Sequence, residues 1–200
     1  MTEYPWWEEV EAVAPLMQGD LIEACPVTVF KEEITFNEGD NLDGLLATLG
    51  SGVGLQTIRS IVMTQACDLE QSKVRNAILC PAPSLEEFQS DWEEDWVKKK
   101  GTQPKATDWE NHIKSIKLGR MWNLTLLRKR ESADGVTLAT PTTIVDFHEV
   151  FSLPVSFLTL WVRKSGQSRL RLRPPYREHL SQAFARFFMR VGLPIDIGDL

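Results

Sequence analysis

Thr57-Ile58-Arg59-Ser60-Ile61-Val62-Met63-Thr64-Gln65-Ala66 runs straight into Cys67-Asp68. Its β-branched, nearly unbroken apolar centre predicts a central strand buried on both faces. Val74 to Cys80 reads as its partner, ended sharply by Pro81 and Pro83. Upstream, Gln18-Gly19-Asp20 signals a turn into a strand at Leu21 to Cys25, cut short by Pro26. β character resumes from Val27 to Phe36, with Val27, Val29, Ile34 and Phe36 as inward positions. Residues 37–54, rich in Gly, Asp and Asn, read as a loop, or a loop around one short helix at Leu45 to Leu49. Trp6 to Val13 has the spacing of a short amphipathic helix stopped by Pro15.

Downstream of the strand pair the pattern changes. Ser84-Leu85-Glu86-Glu87 is a capping box, in which hydroxyl and carboxylate satisfy free amides at a helix start. Lys98-Lys99-Lys100 before Gly101 suits the helix C-terminus. Asp108 is placed to cap a second helix from Trp109 to Leu118, so residues 84–118 read as a helical insertion. β patterns return at Met121 to Lys129, Thr143 to Val150 and Arg169 to Leu172, with a turn at Ala133-Asp134-Gly135 between the first two. Pro174-Pro175 opens a last helix, Tyr176 to Val191, stopped by Gly192 and Pro194. Its Leu180, Ala183, Phe184, Phe187, Phe188 and Val191 form an apolar stripe. The expectation is one α+β domain over 1–200, with its C-terminal helix (174–192) packed on the sheet.

The composition, 42% hydrophobic and 25% charged, is that of a folded chain rather than a disordered one. No apolar run is long enough to cross a bilayer. Met1-Thr2-Glu3-Tyr4-Pro5 lacks the basic and apolar regions of a signal peptide. Cys25, Cys67 and Cys80, odd in number and without zinc-ligand spacing, point to reduced thiols and a cytoplasmic location. Residues 1–50 hold eleven acidic side chains against Lys31 alone, whereas residues 119–200 hold twelve basic against seven acidic. Such opposed ends either compensate each other or meet different partners.

Several residues are candidates for chemistry. Cys67, at the end of the central strand, either serves as a nucleophile with His148 as base or simply fills the core, with Asp68 capping the following turn. His112, His148 and His179 lie in separate elements. Only Asp146 and His148 share a strand face, and no metal or cofactor site is expected. Gly50-Ser51-Gly52-Val53-Gly54 lacks the Lys-Ser/Thr of a phosphate loop, and its glycines are expected to supply unusual turn angles. From Arg163-Lys164 to Arg177 there are six basic residues and no acid. Alternation puts Arg169, Arg171 and Arg173 on one strand face, a ribbon that either holds phosphates of a nucleic acid, meets a protein or is neutralised by the N-terminal carboxylates. Of seven tryptophans, Trp6 and Trp7 are adjacent. Trp92 and Trp96 lie one turn apart on the acidic inserted helix, as packing residues or as anchors for a protein partner.

The order of elements resembles the small SH3-like antiparallel barrel of PemK/MazF-type toxins. Gln18-Gly19-Asp20-Leu21-Ile22 looks like their opening Gly-Asp strand, Arg59 to Thr64 like their Arg-Pro-apolar strand, and Asn76 to Pro81 like its partner. The likeness spans about half the chain, without 84–118. It implies ribonuclease chemistry only through Arg59 and Ser84, and Ser60 stands where those toxins have proline. Thr64-Gln65-Ala66-Cys67-Asp68-Leu69 and the stretch from Pro175-Tyr176-Arg177-Glu178-His179-Leu180 to Arg190-Val191-Gly192-Leu193-Pro194 also resemble runs in uncharacterised bacterial proteins.

The expected function is therefore a non-catalytic protein-binding module, an accessory or regulatory subunit of a bacterial multiprotein system. Defence or stress is the setting that the toxin-like order suggests. Trp92, Trp96, Arg169, Arg171 and Arg173 are its expected contact residues. The alternatives are a PemK/MazF-like endoribonuclease using Arg59 with the basic 163–177 segment, and a cysteine-dependent hydrolase using Cys67 and His148.

Overall fold

The computed structural model describes residues 5–31, 34–131 and 138–189. The expected turn at Ala133-Asp134-Gly135, Val191 and the stop at Gly192 and Pro194 lie outside them. Strands β1 (Trp7–Val10), β2 (Asp20–Phe30), β3 (Val53–Val62), β4 (Asn76–Pro81), β7 (Phe151–Pro154) and β8 (Arg169–Leu172) form one sheet in the order β1-β8-β2-β3-β4-β7. Every neighbouring pair is antiparallel, and the sheet curls into a half-barrel. β5 (Leu124–Leu127) and β6 (Thr143–Asp146) make a separate antiparallel pair. Among the described residues six helices complete the α+β fold: α1 (Leu42–Ser51), α2 (Ala66–Glu70), α3 (Leu85–Lys100), α4 (Ala106–Lys117), α5 (Val155–Ser165) and α6 (Tyr176–Phe188). None is long and apolar enough to cross a membrane.

The strand that decides the fold is central, but it lies four residues earlier than its sequence suggests, from Val53 to Val62. Met63 and Thr64 still follow its line, both donating their main-chain N–H to Ile78 O of β4, while Ala66-Cys67-Asp68 turns into α2. The Thr64 hydroxyl accepts the Ile78 amide at 2.6 Å and closes this turn. β3 separates two cores, because successive side chains alternate across the sheet. Leu21, Ile61, Cys80, Leu170 and Leu172 pack on one side with Phe147 and Leu180. Ile22, Cys25, Val62, Leu79, Leu158 and Val162 pack on the other. α6 covers the first core through Leu180, Ala183, Phe184 and Phe187, as its stripe predicts, whereas Phe188 remains exposed. α5 covers the second.

Several elements depart from the sequence reading. Residues 7–10 are a strand, not a helix: β1 pairs with β8 from Trp7↔Leu172 to Val10↔Arg169, a gain that local periodicity cannot reveal. Trp7 is buried with its indole donating to Arg128 O at 2.7 Å, and Trp6 stacks on Tyr176 at 4.0 Å, both packing against the first core. β2 passes through Pro26 without ending, after a register shift between Ile22 and Cys25. α4 begins at Ala106, and Asp108 sits in its first turn, where its carboxylate accepts the Lys105 amide at 2.9 Å. The capping box at Ser84 forms as its residues dictate, with Ser84 N–H bonded to Glu87 at 2.7 Å and Glu87 N–H to Ser84 Oγ at 3.1 Å. Gly50, Gly52 and Gly54 have no left-handed backbone angles. They end α1 and start β3, with the Ile34 side chain packed over Gly52.

Candidate interaction site

β3 and β4 pair only from Ser60 to Val62, with Ala82 N–H donating to Arg59 O at 2.8 Å as the last rung. Beyond it, Pro83 and the start of α3 lead the chain away to β6, where Ile144 N–H bonds Pro83 O at 3.0 Å and Leu85 N–H bonds Thr142 O at 2.8 Å. The divergence opens a cleft of about 830 Å³ whose walls include Glu23, Thr57, Arg59, Ser84, Glu87 and Asp91.

Arg59 lies at the cleft's base, its side chain 11% exposed and its Nε 3.2 Å from Glu23. Its Nη2 donates to the Thr140 hydroxyl. The Glu87 carboxyl is held below its usual range, first by the backbone N–H of Ser84, then by the Ser84 side chain, with Arg59 a smaller contributor. The structure thus brings to one cleft the two residues that the toxin resemblance singles out. Both are engaged: Arg59 by Glu23 and Thr140, Ser84 in its helix cap. Three carboxylates against one guanidinium make the cleft acidic, a field that repels phosphate and attracts cations.

The expected arginine ribbon is not a surface. All four residues of β8 are buried, and the Asp20 carboxylate, fully enclosed, receives both Arg169 (2.8 Å) and Arg171 (2.5 Å). Their remaining N–H groups satisfy the carbonyls of Glu11, Ala14 and Pro15 at 2.6–2.9 Å. These arginines therefore cannot present a phosphate or partner contact, and only Arg173 is exposed. Neutralisation by an N-terminal carboxylate is the alternative that the structure bears out, in the interior.

Cys67 does not fill the core. It is exposed on α2, its sulfur 3.7 Å from Gln65 Oε1 and 3.8 Å from Asp68 Oδ1. Asp68 lies in the first turn of α2. His148 packs edge-on against Phe187 at 5.0 Å and lies 3.6 Å from Asp146, whose carboxylate also accepts the His148 amide at 2.8 Å. No contact joins Cys67 to His148 among the described residues. Nor does any group of three His, Cys, Asp or Glu side chains there converge as metal ligands. The buried thiols are Cys25 and Cys80, which desolvation raises to about 11 and about 12.

Trp92 and Trp96 join α3 to α4. The Trp92 ring is 5.2 Å from Trp96, Trp109 and His112 alike, and Phe88 closes the group. Both tryptophans are half-buried, and Lys100 lies over Trp96 at 5.9 Å.

Sequence reasoning overlooks a protruding arm. The distal parts of β2 and β3 extend past β8 and β4 and carry α1, which buries none of its residues. Phe30, Leu42, Leu46, Val53 and Leu55 are exposed on it, and Phe30 stands directly opposite Val53. The signal for this arm was Pro26: a proline that does not end a strand marks an edge. Comparison with protein families, curated proteins and solved structures gives no match.

Proposed function

We propose that this chain is a non-catalytic protein-binding module, an accessory or regulatory subunit of a bacterial multiprotein system, built on a small SH3-like barrel of the PemK/MazF kind. The observation that carries the reading is the apolar arm. Leu42 and Leu55 are 79% exposed and Leu46 is 65% exposed, on a segment that packs little against the rest of the fold. Exposed apolar residues grouped on one projection mark a contact surface. The half-exposed rims of Trp92 and Trp96 add a second one on the helical hairpin. A defence or stress setting rests on the toxin-like order of elements alone.

The test is the size and composition of the complex purified from the producing bacterium. A stoichiometric protein complex that Leu46→Asp with Leu55→Asp dissolves, while the melting transition is kept, supports the module. A chain that elutes alone in both forms rejects it. The endoribonuclease reading retains one favourable observation, the meeting of Arg59 and Ser84 in one cleft. RNA cleavage on induced expression, abolished by Arg59→Ala, would decide for it.

A further inference from the structure

The two edges of the arm are not alike. Lys31 N–H bonds Gly52 O at 2.9 Å, and the register continues through Val29↔Gly54 and Val27↔Gln56. These are therefore the hydrogen-bonded pairs of the ladder, and Pro26↔Thr57, Thr28↔Leu55 and Phe30↔Val53 are the non-hydrogen-bonded ones, whose main-chain groups point outward. On β2 the outward edge is blunted: Pro26 has no N–H to offer, and Trp161 Nε1 already occupies Ala24 O at 2.9 Å. On β3 it is not. The bond from Ala82 to Arg59 shows that odd-numbered residues face the β4 side. Past that rung Thr57, Leu55 and Val53 present three N–H and three C=O groups along a lane that β4 leaves at Pro83. No strand pairs with them among the described residues.

A sheet edge protected on one side and open on the other is a template for an incoming strand. The cleft at the head of this lane carries Glu23, Glu87 and Asp91, with Arg59 engaged by Glu23. Two copies meeting edge to edge would bring like charges together, so charge complementarity selects a foreign, basic segment. We propose that an extended, lysine- or arginine-bearing segment of a partner protein adds as a strand to β3 along Thr57, Leu55 and Val53, its cationic side chains reaching the acidic cleft. This rests on the protein-binding reading and names its partner's chemistry.

The test uses the full chain and a fluorescent, acetylated and amidated nonapeptide of alternating lysine and valine, with amide hydrogen exchange as a second readout. Binding is expected to protect the amides of Val53, Leu55 and Thr57. Thr28 and Leu55 stand opposite each other, so proline at each is a matched pair of variants acting on opposite edges. Leu55→Pro is expected to weaken the peptide by about tenfold or more, the scale of the main-chain bonds removed. Thr28→Pro should leave affinity within about twofold. Equal loss in both variants, equal binding of a helix-forming lysine–alanine peptide, pairing of the same amides in a homodimer, or no binding would each overturn the proposal. If the nonapeptide is inert while Leu46→Asp with Leu55→Asp still dissolves the native complex, strand addition fails and the binding module stands. If neither responds, both fail.

Discussion

The carboxylate of Asp20 lies 2.8 Å from Arg169 Nε across the join between β2 and β8, with no solvent exposure. It also pairs with Arg171, so one carboxylate serves two guanidiniums, whose other N–H groups are satisfied by the carbonyls of residues 11, 14 and 15. Breaking such a site by removing the anion leaves cations stranded in the interior, which is far costlier than the intact pair is worth. Asp20→Asn is expected to destabilise the fold by about 3–5 kcal/mol. Denaturant unfolding followed by tryptophan fluorescence measures it, and a loss below about 1 kcal/mol would contradict the buried network.

The helical hairpin should respond to acid. His112 is packed among Phe88, Trp92 and Trp109, its Nε2 buried without a hydrogen-bond partner among the described residues, and desolvation lowers its pKa from 6.5. The unfolded chain then takes up the proton first, so folding stability is complete above about pH 6.5 and falls as the pH drops below it. His112→Gln should flatten this part of the stability profile, as followed by chemical unfolding between about pH 7.5 and 5.5, roughly one unit either side of the free histidine value.

Thiol chemistry separates the three cysteines. One thiol, Cys67, is expected to react promptly with a water-soluble disulfide reagent in the folded protein, and Cys25 and Cys80 only on unfolding, since both are buried with raised pKa values. Cys67→Ser should abolish the fast phase without changing the melting temperature. A Cys67 that resists the reagent would contradict its placement on α2.

Trp92 is the hub of the aromatic group between α3 and α4. Trp92→Ala is expected to cost about 3 kcal/mol of hairpin stability, detected as faster amide exchange over residues 85–117 with the sheet amides unchanged. Trp96→Ala, at the rim beside Lys100, should cost less.

Elements specified by neighbouring residues were legible in the sequence, and those specified by distant ones were not. Ser84 and Glu87 meet within one turn, so their capping box could be read from spacing. β8 could be placed because Leu170 and Leu172 alternate with arginines, but alternation cannot say that Asp20, 149 residues away, encloses Arg169. A buried arginine face and a solvated one have the same pattern. Trp6 to Val13 has helical spacing, and its Trp7–Val10 still forms a strand because β8 supplies the hydrogen bonds. The same limit hid the open edge of β3: an edge is a property of which strands are missing beside it, and Pro26 marks locally only the opposite edge, on β2. Phe151 to Ser165, a short strand running into α5, carries no turn signal to divide it beyond Pro154.

The pairing of β1 with β8 also sets a schedule. Among the described residues the first strand has the last as its partner, with Trp7 opposite Leu172. At about 5–20 residues per second, a ribosome needs roughly ten to thirty seconds between making the two. Throughout that interval Asp20 has no counter-ion and Trp7 no strand beside it, while the β2–β3 and β3–β4 pairs, closer in sequence, can already form. Residues 7–15 are therefore secured only once β8 has been made, whereas Gln18 and Gly19 can already bond Met63 O and Val62 O. Until then residues 7–15 are open to chaperones and proteases, and a chain truncated before Arg169 would leave them so permanently.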